Sequence, residues 1–323
     1  GRSKEEYFGA FFSVINLIFQ QLPSSIPMVK FKVVKIETES ELKALKQAYQ
    51  YLPSSQKTNL YGLWPQHINL TSGQVADTPT TKQLSEYFKE TGKPYNNSHV
   101  IVLFSGRTLL LYRVYHDYGN TDAHSRLLVH TNPKRAGICT KDNIVITQDD
   151  GFFSGVMFTA RRLARLLGAN YDLAKNTTCL YSSSMLMGDM DKKENYTMSP
   201  CTIQDLKTTL ESDQKQSCLE KEFDSSVTPT QMLPADLFSP DSYCAHKYKG
   251  QENAGECTQA KWDISGYPSP GPCKVRCCYG TPRSFRRYPH GMYDIDALYG
   301  YSCKANGRQD GVCIKEVCVK KSS

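Results

Sequence analysis

Residues 159–172, with the sequence TARRLARLLGANYD, are the most informative stretch of this chain of 323 residues. Their apolar residues recur at helical spacing, which predicts a helix over residues 158–167. Gly168 follows directly, and glycine is the residue that most often ends a helix. Arg161 and Arg165 are four residues apart, so we expect both guanidinium groups on one face of this helix.

Strand-like and helix-like patterns alternate on both sides of this helix. The predicted strands cover residues 29–36, 99–104, 109–115 and 143–147, and the other predicted helices cover residues 38–49, 81–91 and 202–210. An interrupted apolar stretch at residues 8–22 is expected to be buried core. Strands that alternate with helices are typical of an α/β domain.

The pattern changes after Lys221, where proline, glycine, tyrosine and cysteine dominate and helical periodicity disappears. Eight of the twelve cysteines lie between Cys244 and Cys318. Such a segment is typical of a small, loop-rich module stabilised by disulfides. We therefore predict two domains, covering residues 1–219 and 220–323.

Cysteine usage predicts the compartment of the protein. The cysteine number is even, and no CxxC pair recurs as it would in a zinc knuckle. Disulfides on this scale are typical of extracellular proteins. Four acceptor motifs for N-glycosylation agree with this interpretation. We therefore expect a secreted, extracellular glycoprotein with candidate glycosylation sites at Asn69, Asn96, Asn176 and Asn195.

Composition narrows the classes of partner. The hydrophobic fraction of 39% indicates a globular protein with a core, and no apolar run reaches the roughly 20 residues needed to span a bilayer. The formal net charge is +7. Because nucleic acid is not an expected partner outside the cell, this charge favours acidic protein surfaces or sulfated glycans.

The spacing of residues 161–171 matches the zinc motif of metzincin proteases, HExxHxxGxxH. In that motif three histidines bind zinc and the glutamate is the general base. Here Arg161 and Arg165 stand at the two helical histidine positions, and Arg162 stands at the glutamate position. Tyr171 stands at the third histidine position, whereas Gly168 keeps the motif glycine.

Further segments extend this similarity. Residues 185–188 (MLMG) resemble the Met-turn, with Met187 as its methionine. On these motifs the first domain resembles the reprolysin-like (adamalysin) family of zinc metalloproteases. The cysteine pattern from Cys273 to Cys318 is similar to the disintegrin-like, cysteine-rich module of ADAMTS proteins. The richness in tyrosine and lysine is closest to secreted tick salivary members.

The resemblance implies a fold and a set of crosslinks. It implies a metzincin-type α/β domain, with a mixed sheet and a long central helix, followed by a small disulfide-rich loop/β module. It also implies the bridges Cys139–Cys218 and Cys179–Cys201, with the other eight cysteines paired among themselves between residues 244 and 318.

The departures from the motif predict that the zinc chemistry is lost. A guanidinium group has a pKa above about 12 and offers no lone pair to a metal ion. The general base is also missing, so bound water would not be activated. The seven histidines show no i, i+4 or HxH spacing. We therefore expect no metal, no cofactor and no peptidase activity.

Two interpretations of the arginines stay open. In the first, they fill the former zinc site as a structural plug, paired with carboxylates such as Asp149 or Asp150. In the second, Arg161 and Arg165 form a pocket for a carboxylate or sulfate, which requires at least one guanidinium open to solvent. Of the two, we expect the plug.

Three functions follow from these alternatives. The first is a non-catalytic pseudoprotease that binds an extracellular or host protein and sequesters or masks it. The second is a protein that binds extracellular matrix or sulfated glycans through basic patches, which include Lys274, Arg276 and Lys320. The third is an enzyme with chemistry unrelated to zinc. Heparin retention that depends on salt would distinguish the second from the first.

Overall fold

The structure is a computed structural model. It describes residues 3–36, 98–106, 133–140, 142–172, 185–188, 196–281, 289–305 and 309–320, together with Cys179 and the backbone of residues 74–76 and 108–110. The described part contains helices, strands and disulfides, so the protein is a mixed α/β protein with a disulfide-rich segment. No helix in this part is long and apolar enough to cross a membrane.

The chain divides into two compact units. The first unit comprises residues 1–18, 31–33 and 228–323, and the second comprises residues 19–30 and 34–227. These units differ from the predicted domains of residues 1–219 and 220–323 in two places. The main boundary falls after Val227, and the N-terminal helix belongs to the same unit as the C-terminal segment.

Parallel strand pairs precede the arginine-containing helix in the second unit. β1 (Gln74–Ala76) pairs with β3 (Thr108–Leu110), and β2 (Ile101–Ser105) pairs with β4 (Ile144–Gln148). Residues 144–146 of β4 are almost fully buried, as expected for a strand inside a parallel sheet. The predicted strands at 99–104 and 143–147 are therefore confirmed, and only 108–110 of the region around the predicted strand 109–115 is described.

Helix α2 (Val156–Leu166) is the predicted arginine-containing helix, and it ends as the sequence indicates. Gly168 has a φ of +108°, a conformation that favours glycine. A Cβ atom there would also collide with the Thr209 side chain. The segment before β4 satisfies the last carbonyl groups of α2, because Ala136 N–H donates to Arg165 O and Ile138 N–H donates to Leu166 O.

Two further helices complete the described part of this unit. α3 (Pro200–Leu210) begins two residues before the predicted start, because Ser199 is its N-cap and accepts a hydrogen bond from Thr202 N–H. α4 (Asp213–Leu219) follows it. Both bridges expected from the resemblance are present in this unit, Cys139–Cys218 and Cys179–Cys201.

The first unit begins with helix α1 (Lys4–Phe19), whose buried face confirms the expected core at residues 8–22. The absence of a side chain at Gly9 lets Thr230 lie against the helix, and Ser13 Oγ donates to Thr230 O. The buried residues of this helix are Ala10, Phe11, Val14, Ile15, Ile18 and Phe19.

The predicted strand at residues 29–36 is wrong, because this described segment has no regular secondary structure. The backbone of Phe31 is paired with a side chain instead of with a strand. Its N–H donates to Asn16 Oδ1, and its carbonyl accepts from Asn16 Nδ2. Apolar and polar alternation indicates an extended chain, but a strand also needs a neighbouring strand to pair with.

The C-terminal segment carries more helix than its loop-rich sequence predicts. α5 (Pro234–Leu237) and α6 (Pro240–Lys247) each begin with proline, and Ser239 caps α6. Two antiparallel sheets follow, with strand orders β5-β6-β7 and β8-β9-β10. Their strands are β5 (Gly255–Glu256), β6 (Lys274–Tyr279), β7 (Gly291–Asp296), β8 (Ser302–Ala305), β9 (Gln309–Ile314) and β10 (Val317–Lys320).

Four disulfides hold this segment together, and all lie between residues 244 and 318 as predicted. They join Cys244 to Cys277, Cys257 to Cys278, Cys273 to Cys313 and Cys303 to Cys318. Cys244 and Cys277 pack with Val275 and Ala297 in the core of this segment, so the crosslinks take the place of part of an apolar core.

Candidate functional site

The candidate site is centred on the partly buried ring of Tyr171, and two of the arginines contact this ring. The guanidinium carbon of Arg161 lies 4.8 Å from the centre of the Tyr171 ring, and that of Arg165 lies 5.2 Å from it. Both distances are within the range of cation–π attraction. One aromatic ring therefore offsets part of the repulsion between two cations that are one helical turn apart on α2.

Arg161 is the more enclosed of these two arginines, with 6% of its surface exposed. Its Nη1 donates a hydrogen bond of 3.3 Å to the carbonyl oxygen of Leu186. Leu186 belongs to the turn at residues 185–188, which is closed by a hydrogen bond from Gly188 N–H to Met185 O. Met187 in this turn is fully buried. Arg161 thus joins α2 to the turn that the sequence likened to a Met-turn.

Asp172 joins the same turn from the other side. Its N–H donates to Met187 O at 3.0 Å, and its Oδ1 accepts a hydrogen bond of 2.6 Å from Ser199 Oγ. Burial raises the pKa of the Asp172 carboxyl group, whereas the hydrogen bond from Ser199 and the positive charge of Arg161 act in the opposite direction. Asp172 is therefore the carboxylate whose field reaches Arg161.

Arg165 lies at the end of α2 and is half-buried. Its Nη1 donates to Ala169 O at 3.1 Å and to Asn170 Oδ1 at 2.8 Å. Burial lowers the pKa of the Arg165 guanidinium, and the nearby charge of Arg135 lowers it further. Cations near a helix C-terminus are favoured by the helix dipole. This guanidinium therefore ties the last turn of α2 to the segment that follows the helix, and part of its surface stays open.

Arg162 points away from this group. It is 2% exposed, and its guanidinium carbon lies 3.8 Å from the centre of the Phe158 ring. Phe158 is one turn earlier on α2, so this contact lies along the helix itself. The residue that aligns with the glutamate of the zinc motif thus lies over an aromatic ring, and its guanidinium is not a usual proton acceptor.

We expect the buried carboxyl group of Asp172 to make the protein less stable as the pH rises. Its pKa in the folded state lies above its ordinary value, so the folded protein holds this proton more tightly than the unfolded chain does. The free energy of unfolding therefore falls as the pH increases from the unfolded pKa, about 4, through the folded pKa.

The variant Asp172→Asn provides the control, because an amide oxygen still accepts the hydrogen bond from Ser199 but does not titrate. Urea unfolding between about pH 4 and pH 8 should show the wild type losing stability relative to this variant. A stability difference that stays constant with pH, or that grows in favour of the wild type, would contradict this prediction.

The carboxylates expected to pair with the arginines accept hydrogen bonds from the backbone of the turn before α2. Asp149 Oδ1 accepts from Gly155 N–H and its Oδ2 accepts from Gly151 N–H, so this carboxylate stabilises the turn before α2. Asp150 Oδ1 accepts from Phe152 N–H in the same turn. Carboxylates just before a helix are favoured as caps of its free N–H groups.

The basic residues of the C-terminal segment are partly neutralised. Arg276 forms two hydrogen bonds to Asp294, at 2.6 and 2.8 Å. Lys274 contacts the carboxylates of Asp296 and Glu316. These pairs reduce the positive charge that would attract a sulfated glycan. The four predicted glycosylation sites, Asn69, Asn96, Asn176 and Asn195, lie outside the described residues.

Potential metal ligands come together at one place in the described part of the chain. There, the group of three or more potential ligand atoms within 4.8 Å of one another consists of Cys273, Cys303 and Cys313. All three sulfur atoms are in disulfides, which lack the thiolate that binds a metal. At the positions that align with the zinc motif, the side chains are guanidinium groups and a phenol, none of which is a usual zinc ligand.

Sequence reasoning missed the groups that hold the arginines in place. The carbonyl oxygen of Leu186 leaves no signal in a sequence, because every residue has one. Ser199 had a usable signal, since Ser199-Pro200 is a common start of a helix, and it would have indicated a serine hydroxyl beside the buried turn. Phe158 precedes Arg162 by four residues, a spacing that predicts contact on a helix.

No protein-family model matches this chain, and no curated protein matches it either.

Proposed function

We propose that this chain is a secreted pseudoprotease, a catalytically inactive relative of reprolysin-like zinc metalloproteases that acts by binding another extracellular or host protein. The observation that carries this proposal is the packing of Arg161 and Arg165 around Tyr171 at positions where zinc ligands would stand. In a protease of that family, these positions would carry three imidazoles around a metal ion.

The chemistry of the site supports the loss of catalysis. A zinc protease needs lone pairs for the metal and a base for the attacking water. Guanidinium groups supply neither, and their positive charges repel a divalent cation. Arg161 also donates to Leu186 O, so it fills space near the turn at residues 185–188. The plug is therefore the better interpretation for Arg161.

The surrounding fold supports the family relation. Parallel strands β2 and β4 precede α2, α2 ends at a left-handed glycine, and a buried methionine turn follows it. Cys179–Cys201 connects the segment after α2 to the start of α3, next to that turn. These features support the proposed architecture, which is a metzincin-type domain with a mixed sheet and a central helix, followed by a disintegrin-like module.

The crosslinks support a protein that works outside the cell. Six disulfides and no free cysteine occur among the described residues. Disulfides persist in oxidising compartments and are rare in the cytosol. A rigid, crosslinked scaffold that has lost its metal site keeps its surface, and that surface can still bind a partner. Sequestering or masking that partner is the function we propose.

We expect purified protein to contain no stoichiometric zinc and to leave casein uncut. Metal analysis by mass spectrometry and a fluorescent-casein assay, each with and without chelator, measure these properties. The comparison variant combines Arg161→His, Arg162→Glu, Arg165→His and Tyr171→His, and we expect it to bind more zinc than the wild type does. One tightly held zinc per wild-type chain, or casein cleavage that a chelator abolishes, would overturn the proposal.

Partner binding is tested separately with the intact chain. The immobilised protein is incubated with blood plasma and with solubilised cell-surface proteins, and retained proteins are identified by mass spectrometry. Chain in which the disulfides have been reduced and alkylated is the control for non-specific retention. Binding that requires the folded chain supports the proposal. Retention on heparin that salt abolishes, without a retained protein, would favour the glycan-binding alternative instead.

A further inference from the structure

A cavity of about 400 Å³ lies within the C-terminal part of the first unit. It is framed by the start of helices α5 and α6, by strand β6 and by residues 298–302. Seven of its ten lining residues are aromatic or aliphatic, and polar atoms also reach its surface. Its lining residues include Asp236, Phe238, Tyr243, Leu298, Tyr301 and Ser302.

The wall of this cavity is held in place by the backbone. Ala235 N–H donates to Tyr299 O, and Tyr301 N–H donates to Leu298 O. Cys313 N–H donates to Tyr301 O, which ties the wall to a strand crosslinked by the Cys273–Cys313 disulfide. A preformed wall loses little conformational entropy when a ligand enters. The cavity is therefore suited to binding without rearrangement.

The charge of the cavity differs in sign from that of the protein. The net charge of the chain is +7, yet Asp236 is the one charged side chain among the described lining residues. Asp236 Oδ2 accepts a hydrogen bond of 2.7 Å from Leu233 N–H, which fixes the carboxylate at the start of α5. A fixed carboxylate beside aromatic rings attracts cations both by charge and by the ring quadrupoles.

We propose that this cavity binds a lysine or arginine side chain presented by the partner protein. Such a side chain has an apolar stem that can lie along Phe238 and Leu298 and a cationic head that can reach Asp236. Ser302 and the tyrosines line the same space and offer hydroxyl oxygens as further acceptors. The inference rests on the proposed function only in naming a protein as the source of the side chain.

The test uses the intact chain with small probes, so it does not require the partner to be known. The probes are N-acetyl-lysine methylamide, N-acetyl-arginine methylamide and the neutral N-acetyl-norleucine methylamide, which has nearly the shape of the lysine probe. Binding is measured by saturation-transfer NMR titration. We expect millimolar affinity for the two cationic probes and at least about fivefold weaker binding of the neutral one.

Three variants identify the site. Asp236→Asn keeps an oxygen that can accept from Leu233 N–H, and we expect it to weaken the cationic probes by about five- to tenfold. Ser302→Trp, at an exposed position of β8, should fill the cavity and abolish binding of all probes. Asp310→Asn removes an equal charge from a carboxylate that pairs with Lys304 and does not line the cavity, and it should bind like the wild type.

Several results would overturn this proposal. The first is that the norleucine and lysine probes bind equally well. The second is that Asp236→Asn or Ser302→Trp binds the cationic probes as well as the wild type does. The third is that Asp310→Asn loses as much affinity for these probes as Asp236→Asn does. None of these results bears on zinc content or casein cleavage, because Asp236 lies in a different unit from α2. The experiments can therefore reject the cavity proposal without rejecting the pseudoprotease proposal, and the reverse.

Discussion

Replacing Cys139 and Cys218 together by serine is expected to lower the free energy of unfolding of the second unit by about 4–5 kcal/mol. The bridge joins residues 79 positions apart, so its loss greatly enlarges the set of conformations open to the unfolded chain. It also anchors the segment that satisfies the last carbonyl groups of α2. Ala136 O and Ile138 O accept hydrogen bonds from Lys215 Nζ, at 3.0 and 2.6 Å. The two segments that the bridge joins are therefore also held together by hydrogen bonds.

The matched control is the double variant Cys179→Ser with Cys201→Ser. This bridge lies in the same unit but closes a separation of only 22 residues, for which the same relation gives about 3–3.5 kcal/mol. Urea unfolding of both variants, followed by intrinsic fluorescence, shows which variant loses more free energy of unfolding. A smaller effect for the Cys139–Cys218 pair than for the Cys179–Cys201 pair would contradict the prediction.

The local features of the fold could be read from the sequence where one residue type has one physical role. Gly168 predicted the end of α2, and the structure places it in the left-handed conformation. Residues 143–147 predicted a strand that is present as β4. The cysteine distribution predicted two separate sets of disulfides, and no described bridge joins the two sets.

Features that depend on distant partners could not be read in this way. Residues 29–36 alternate like a strand, but the partner of Phe31 is the Asn16 side chain, which no local pattern indicates. The unit to which α1 belongs depends on its contact with Thr230, more than 200 residues away in the sequence. Apolar periodicity predicts that a face is buried, but it does not predict what covers that face.

In the candidate site, too, local spacing was predictable from the sequence and contacts with distant groups were not. The spacing of Arg161 and Arg165 predicted their shared face, and the structure brings both to Tyr171. The compensation of their charge was predicted at Asp149 or Asp150, the nearest carboxylates before the helix. The described contacts of Arg161 and Arg165 are to an aromatic ring and to backbone carbonyls, and the charge of Asp172 also acts on Arg161. Carbonyl acceptors are set by the path of the backbone, which the side-chain sequence does not encode directly.

Reversing the charge of Arg161 is the other change for which we expect a large effect. Arg161→Glu would place a carboxylate in a nearly closed site beside the Leu186 carbonyl oxygen and within the field of Asp172. A buried carboxylate beside a second carboxylate is strongly disfavoured, and Arg165 Nη1, the nearest cationic group, already donates to Ala169 O and Asn170 Oδ1. We expect the free energy of unfolding to fall by about 3 kcal/mol or more, as measured by urea unfolding near neutral pH.

Arg161→Met separates the role of the charge from that of the volume. Methionine fills similar space and can pack against Tyr171, so a structural plug predicts a loss below about 1.5 kcal/mol. If the methionine variant is as unstable as the glutamate variant, the hydrogen bond to Leu186 carries the stability and the plug depends on the guanidinium itself. If it is stable but no longer retains the partner, Arg161 belongs to a binding site for an anionic group. A stable methionine variant that still binds the partner would place recognition elsewhere on the protein and leave α2 as scaffold alone.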